Sequence, residues 1–254
     1  MQPTISIITV VYNGEAELEG TIQSVLKQTY PAIEYVIIDG ASKDGTLDLI
    51  KKYEPNIDFW KSEPDKGLYD AMNKGMQHAT GDFVLFLNAG DRLYAKDTLD
   101  IIFSKCKTDT DILYGEVMMV DDARQPIGTR SEITTRQLPK NLNWKSLQKG
   151  MVVCHQAFIP RRTICPPYMM DNLAADIDWV IECLKKSRSN VFTDTIIAEF
   201  LVGGVSKQRH QQSLKDRFAI LQKHYGVLPN LWNHGMILLR AVWFRIIRTG
   251  KERY

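Results

Sequence analysis

The sequence predicts an α/β fold built on a mostly parallel sheet flanked by helices, followed by an amphipathic helical tail. Three observations carry this. Apolar runs alternate with amphipathic stretches through the first 91 residues. The runs are continuously apolar and β-branched, as in strands buried on both faces of a parallel sheet. Short polar motifs close them, bringing polar groups to the carboxyl ends of strands, the edge where open α/β sheets bind ligands.

Each element follows from its pattern. Ile5 to Val11 reads as the first strand. Glu15 to Gln28 reads as a helix with Leu18, Ile22, Val25 and Leu26 on one side. Tyr35 to Ile38 is a second strand, Asp44 to Tyr53 a helix with a Ser/Asp cap signal, and Asp58 to Lys61 a short third strand. Leu68 to Ala79 is a third helix and Phe83 to Leu87 a fully apolar fourth strand. Such β-α-β alternation implies parallel pairing with right-handed crossovers. Beyond Asp91 the rhythm breaks. Ile112 to Val120 and Pro126 to Arg130 read as strands around the Asp121-Asp122 turn, and residues 131–150 are polar and irregular. Val152 to Ile159 reads as a strand and Ala174 to Lys186 as a helix. Asn190 to Phe200 gives two short strands, and Ser206 to Tyr225 a long helix after the Gly203-Gly204 loop. With no repeat and no low-complexity linker, residues 1–228 read as one domain and residues 229–254 as a separate tail.

Composition narrows the function classes. A net charge of +2 over 254 residues argues against a nucleic-acid-binding surface. Cys106, Cys154, Cys165 and Cys183 form no C-x-x-C pair, so they read as reduced thiols of a cytoplasmic protein rather than zinc ligands. The N-terminus carries no secretory pattern, and no apolar run reaches the roughly 18 residues that span a bilayer. There is no G-x-G-x-x-G after the first strand, no P-loop and no G-x-S-x-G elbow. A nucleotide bound here is gripped by side chains and strand ends.

Four motifs supply those side chains: Val10-Val11-Tyr12-Asn13, Asp39 to Thr46, Asp65 to Gly75, and Asn88-Ala89-Gly90-Asp91. Asp39, at a strand tip, has the chemistry to accept the imide N–H of a uracil ring, with Tyr12 lying against the base. The alternative is a turn aspartate, since Asp-Gly is a common turn. Lys66 and Gly67 open the third helix, with Asp70, Asn73 and Lys74 clustered on its first turns. A lysine at a helix start opposes the macrodipole and suits an external phosphate; a solvated helix face is the competing reading. Asp91 would present oxygen to a hard divalent cation, Mg²⁺ or Mn²⁺, which neutralises a departing diphosphate. Alone, such an aspartate is more often a cap or turn residue.

Taken together the motifs resemble family 2 glycosyltransferases, which have the GT-A fold. The likeness rests on Ile-Ile-Thr-Val-Val-Tyr-Asn, Ile-Ile-Asp-Gly-Ala-Ser-Lys-Asp-Gly-Thr, Lys-Gly-Leu-Tyr-Asp-Ala-Met-Asn-Lys-Gly and Phe-Leu-Asn-Ala-Gly-Asp. Looser likeness follows at Cys154-His155-Gln156-Ala157 and Ala175-Asp176-Ile177-Asp178-Trp179. The resemblance implies inverting transfer of a sugar from a nucleotide donor, of the UDP type, to an acceptor hydroxyl. Under it, Val10, Tyr12, Asn13, Asp39, Lys66, Gly67, Asp70 and Asn73 bind the nucleotide-sugar. Asp91, with His155, holds the metal, although Asn88 and Gly90 stand where the family commonly has aspartate. Asp176 matches the catalytic base, with Asp178 as the runner-up. A nucleotidyltransferase would need a glycine-rich basic loop after the first strand, which Tyr12-Asn13-Gly14-Glu15 is not. A non-catalytic nucleotide-sugar binder is the other alternative, prompted by the thinned acidic run.

The tail differs in character. On a helical wheel Leu238, Leu239, Val242, Trp243, Ile246 and Ile247 share one side, opposite Arg240, Arg245, Arg248 and Lys251. This suits an anionic bilayer surface, which adds the inner membrane face to the partners the resemblance implies, a nucleotide-sugar and a glycan or lipid-linked acceptor. A helix packed on the domain is the alternative.

Overall fold

The structure, a computed structural model, describes residues 2–202 and 210–236. Strand β1 (Ile5–Val11) is buried at every position. It lies between β2 (Ile33–Asp39) and β4 (Phe83–Phe86), with β3 (Phe59–Ser62) outside β2, all parallel in the order β3-β2-β1-β4. Helices α1 (Glu15–Leu26), α2 (Thr46–Tyr53) and α3 (Leu68–His78) connect them. Alternating side chains feed two cores, which is why the strand sequences are apolar throughout. Ile8, Val36 and Ile38 pack with Met72 and Trp179 on one face. Ile5, Ile7 and Ile37 pack with Leu18, Ile22 and Leu99 on the other.

The chain continues through β5 (Arg92–Leu93), α4 (Thr98–Ser104), β6 (Ile112–Val120), β7 (Pro126–Thr129) and the single turn α5 (Arg130–Ile133). It closes with β8 (Phe158–Pro160), α6 (Ala175–Lys186), β9 (Asn190–Leu201) and α7 (His210–Tyr225). The second sheet has the order β5-β9-β6-β7, with β8 also on β6. It is mixed: β6 and β9 run parallel, whereas β5, β7 and β8 pair antiparallel. A bridge between Phe83 and Arg161, and the Arg162 N–H donating to Asp82 O at 2.8 Å, join the two sheet edges.

Three expectations are corrected here. Val152 to Ile159 is not one strand: Ala157 N–H returns to Cys154 O at 3.0 Å, closing a 3₁₀ turn over His155–Ala157 before β8. The two short strands expected over 190–200 are a single 12-residue strand. Asp194 adopts a left-handed φ of 49°, and the register with β6 shifts between Tyr114 and Glu116, so an irregularity inside one strand resembles a break in the sequence. The strand expected to reach Arg130 stops at Thr129, whose side chain accepts from Glu132 N–H while the Glu132 carboxylate receives the Thr129 N–H, a capping box that opens α5.

Residues 227–236 form a helix after α7, so the expected boundary at 228/229 falls inside it. The Asn230 side chain donates to Phe218 O at 3.0 Å, fastening this helix to α7. Residues 237–254, which carry most of the expected basic tail, lie outside the described residues. Among the described residues no helix is long and apolar enough to cross a membrane.

Candidate active site

The register of the first sheet sets one half of the site. Val11 pairs with Asp39, and Asp39 with Ser62, so three strand ends finish level. Asp39 is fully buried. Its carboxylate accepts the Ser42 N–H, the Ser42 hydroxyl and, at 2.6 Å, the Ser62 hydroxyl. It therefore fastens the second loop to the third strand as well as standing where a base edge is expected. Tyr12 contrasts with it, an aromatic ring 62% exposed at the end of β1. Gly40 sits between the Tyr12 ring and the Asp65 carboxylate: a Cβ there would lie 3.3 Å from Tyr12 Cδ2 and 2.4 Å from Asp65 Oδ2. Asp65 is thus a member of this surface that was not singled out from sequence, although its motif was. Asn13, with φ of 48°, joins the first two loops through its own N–H to Ser42 Oγ at 2.7 Å and Lys43 N–H to its Oδ1 at 2.9 Å. Val10 is buried in the core, so its side chain belongs to packing.

The third motif divides in two. Gly67, with φ of 113°, caps α3 in a conformation that favours glycine, and open space lies where its Cβ would be. Lys66 is exposed, and its N–H donates to Asp70 Oδ2 at 3.0 Å. Asp70 also lies 3.6 Å from Lys74 Nζ. Asn73 is engaged elsewhere: its amide donates to Tyr168 O at 2.9 Å and accepts Tyr168 N–H at 2.7 Å. It clamps α3 to a segment 95 residues away.

The loop after β4 holds the expected metal residue. Asp91 is buried, accepting from Gln156 Nε2 at 2.8 Å and from Leu201 N–H at 3.3 Å. Burial pushes its carboxyl up to about 7, against the opposing pull of Gln156, Leu201 and Arg124. Asn88 Oδ1, in the same loop, is buried with no hydrogen-bond partner. An aspartate and an unpaired amide oxygen in one loop fit a hard cation that takes its other ligands from water and diphosphate. His155 does not fit this set. Its Nε2 pairs with the Tyr168 hydroxyl at 2.5 Å, and its ring packs against Phe86 and Trp179. Burial lowers its pKa to about 4, leaving it neutral. The side chain that reaches Asp91 is its neighbour, Gln156. Among the described residues no three His, Cys, Asp or Glu side chains converge on a metal position.

At the start of α6 two aspartates take opposite environments. Asp178 Oδ1 accepts from Lys223 Nζ at 2.7 Å and His224 Nε2 at 2.6 Å, tying α6 to α7. Burial alone would raise its carboxyl; His224 and Lys223 prevail and hold it low. Asp176 accepts the Ile177 N–H at 2.9 Å. Burial raises its pKa, while Ile177 N–H and the charges of Arg217 and Arg130 pull the other way. The Tyr69 hydroxyl is near enough that, after burial, the charge of Asp176 is the main influence holding it un-ionised. Arg130 and Arg217 were not singled out from sequence. Arg130 had a signal, the Thr-x-x-Glu capping pattern at 129–132 that places it on a helical turn. Arg217 had none, since an arginine within a helix ordinarily reads as solvated. Each carries a buried N–H without a partner: Arg130 at Nη1 and Arg217 at Nε.

Comparison with known proteins places this arrangement in context. Residues 6–165 match the family described as Glycosyl transferase family 2. A "PGL/p-HBAD biosynthesis glycosyltransferase" of Mycobacterium bovis (strain BCG / Pasteur 1173P2) is 34% identical over 190 residues, covering 71% of this chain and 70% of that protein. A "Putative teichuronic acid biosynthesis glycosyltransferase" of Bacillus subtilis (strain 168) is 37% identical over 102 residues, 39% of this chain and 40% of that protein. Alignments with the curated relatives span from 37% to 70% of their lengths. Among solved structures, S. aureus TarS in complex with UDP-GlcNAc superposes with a TM-score of 0.65 at 17% identity, covering 92% of this chain and 70% of that one. The mannosyltransferase PcManGT of Pyrobaculum calidifontis, in complex with GDP-Man and Mn²⁺, gives 0.67 at 18% identity over 99% and 77%. Those two likenesses show a shared fold, that of GT-A glycosyltransferases. With its first 165 residues matching from Ser6 onward and a relative aligned over more than two thirds of both chains, this protein belongs to glycosyl transferase family 2.

Proposed function

We propose that this chain transfers a sugar from a UDP-type donor to an acceptor hydroxyl with inversion, in the synthesis of a cell-surface glycan. The observation that carries the reading is the contrast between Asp176 and Asp178. Asp178 is consumed by an ion pair, whereas Asp176 is raised by burial toward the range in which a carboxylate takes a proton effectively. In this reading Tyr12 receives the base, Asp39 reads its edge, and Lys66 with the Gly67 helix start receives phosphate. Asp70 positions the Lys66 backbone, and Asn13 and Asn73 fix the surrounding loops. Asp176 takes the proton of the acceptor hydroxyl as it attacks the anomeric carbon opposite the diphosphate. Asp91 and Asn88 would hold Mg²⁺ or Mn²⁺, which when bound supplies positive charge to the leaving diphosphate.

The relatives' names support the cell-surface assignment, and the UDP-GlcNAc and GDP-Man complexes of the fold neighbours support a nucleotide-sugar donor. A cytoplasmic enzyme attached peripherally to the inner membrane face completes the proposal. Its test is UDP release from a panel of UDP-sugars with and without glycan acceptors. Acceptor-stimulated release is expected, and absence of both release and UDP binding would remove the reading.

A further inference from the structure

The hairpin that joins β6 to β7 carries an arginine where its backbone favours glycine or asparagine. Asp121 closes the turn: its carbonyl accepts the Arg124 N–H at 2.9 Å, and its Oδ1 accepts the Gln125 N–H at 2.8 Å. Arg124 itself has a φ of 61°, in the left-handed region that strains a residue bearing a Cβ. The bonds that close the turn use backbone and Asp121 alone, so a glycine would form the same turn with less strain. A residue held in a strained conformation points to work for its side chain.

That side chain ends on the loop after β4. Arg124 Nη1 donates to Gly90 O at 2.7 Å, across 34 residues of sequence. Gly90 is the pliant point of the Asn88–Asp91 loop, with φ of 102°. Its N–H donates to Thr21 Oγ1 of α1 at 3.1 Å, and the same hydroxyl donates to Asp91 O at 2.7 Å. Helix α1 therefore fixes one side of the glycine, and the hairpin of the second sheet fixes the other. Burial and the charge of Arg92 lower the pKa of Arg124, while the charges of Glu199, Asp91 and Glu17 oppose that shift. With carboxylates around it, the guanidinium is a fixture of the loop rather than an open anion site.

The consequence falls on the residues either side of Gly90. Asn88 Oδ1 is buried without a partner, and the Asp91 carboxylate is held by Gln156 and the Leu201 N–H. Rotation about Gly90 would change the spacing of those oxygens, and a hard cation needs its ligands at nearly fixed distances. Asp91 is the one carboxylate between residues 88 and 91, so little charge is available to draw this loop around an ion. Contacts made beforehand by the protein lower the cost of ordering it on binding.

We infer that Arg124 is a positioning residue of the donor site: by holding Gly90 O it sets Asn88 and Asp91 for a divalent cation bound with the nucleoside diphosphate. The inference rests on the glycosyltransferase reading above and extends the donor site to a hairpin of the second sheet.

The experiment is calorimetry of UDP on the full chain, once in EDTA and once with MnCl₂, for the wild type, Arg124→Gly and Arg124→Lys. Unbound Mn²⁺ is followed in parallel, with UDP present, by its electron paramagnetic resonance signal. Glycine relieves the strained backbone and so spares the turn. In EDTA all three chains should bind UDP alike, because Tyr12 and Asp39 stand at the ends of β1 and β2. With MnCl₂ the wild type should gain affinity, and Arg124→Gly should fall about tenfold short of it in both UDP and Mn²⁺ binding. Arg124→Lys, which keeps a cation in reach of Gly90 O, should recover part of that loss. An equal loss of UDP affinity in EDTA and in MnCl₂ would mark a staple of the fold and overturn the inference. So would an equal gain from Mn²⁺ in the wild type and Arg124→Gly, or a lysine variant no better than the glycine one. A wild type that binds UDP with no response to Mn²⁺ removes the cation from Asp91, and the inference falls while the glycosyltransferase reading stands. Failure of the wild type to bind UDP at all would strike at that reading itself, so the failures are distinguishable.

Discussion

Gln156 Nε2 donates to Asp91 Oδ2 at 2.8 Å, fastening the turn after Cys154 to the loop after β4 across 65 residues of sequence. This contact, with the Leu201 N–H, makes Asp91 a structural link between the loop after β4 and the second sheet as well as the proposed cation ligand. Burial raises its carboxyl to about 7 from an ordinary 3.8. Between those values the unfolded chain has released a proton that the folded chain keeps, so the Asp91 contribution to stability falls as pH rises through that window, while that of buried His155 rises with pH between about 4 and 6.5. The slope is at most about 1.4 kcal/mol per pH unit. Asp91→Asn should remove this contribution while keeping the acceptor for Gln156, so the stability of the wild type relative to the variant should fall from pH 4 to 8 in urea denaturation. Added Mn²⁺ should flatten it in the wild type by favouring the ionised carboxylate. A wild-type stability that holds constant or rises relative to Asp91→Asn over this range would contradict the assignment.

Tyr12 and Asp39 should separate under mutation. Tyr12 is exposed, so Tyr12→Ala should leave the melting temperature unchanged and weaken UDP binding by about 1 kcal/mol, roughly fivefold. Asp39→Ala should do more. Besides the lost base contact, it strips an acceptor from the Ser42 and Ser62 hydroxyls, so about 1.5–3 kcal/mol of stability should go with it. Buried and bonded to both serines, Asp39 supports its loop as well as the proposed base contact. Calorimetry with UDP and thermal melts distinguish the two variants; unchanged UDP affinity in Tyr12→Ala would take the ring out of the site.

Asp178→Asn should behave as a stability mutant. Lys223 is half exposed and contributes little, but His224 is buried against the carboxylate. A loss of about 1–2 kcal/mol at neutral pH is expected. Because the folded carboxyl is held low, the wild-type advantage should fade as pH falls through the acid range. Urea melts at pH 7 and pH 3 check this, and an equal gap at both would show that the ion pair is not its source.

For the tail, deletion after Met236 should release the chain from anionic vesicles and leave UDP binding intact. The deleted stretch carries Arg240, Arg245, Arg248, Lys251 and Arg253 with Trp243 and Phe244. Each basic group near an anionic surface contributes about 1 kcal/mol. Val227, Leu228, Leu231 and Trp232 are already exposed on the preceding helix, so the apolar surface starts within the domain. Equal flotation of both chains at low salt would leave the tail without this role.

The first sheet was legible because each strand and helix there announces itself locally. Ile5–Val11 and α1 needed only their periodicity, and the loop motifs followed from where the runs stopped. The second sheet was less so. Gln156 and Asp91, or Asn73 and Tyr168, meet across 65 and 95 residues, separations that no local pattern encodes. His155 illustrates the cost: its neighbours in sequence suggest a strand-end ligand, while its neighbours in space are Phe86, Tyr168 and Trp179. Arg217 escaped notice because its significance comes entirely from the packing of α7 against the start of α6.

The most direct measurement is single-turnover transfer by Asp176→Asn beside its UDP affinity. The amide keeps the size of the carboxylate but takes no proton at neutral pH, so transfer should fall by about 10²–10⁴. UDP should bind as in the wild type, because the donor motifs lie on other elements. Near wild-type transfer by Asp176→Asn, together with loss of transfer in Asp178→Asn, would contradict the assignment of Asp176 as the base.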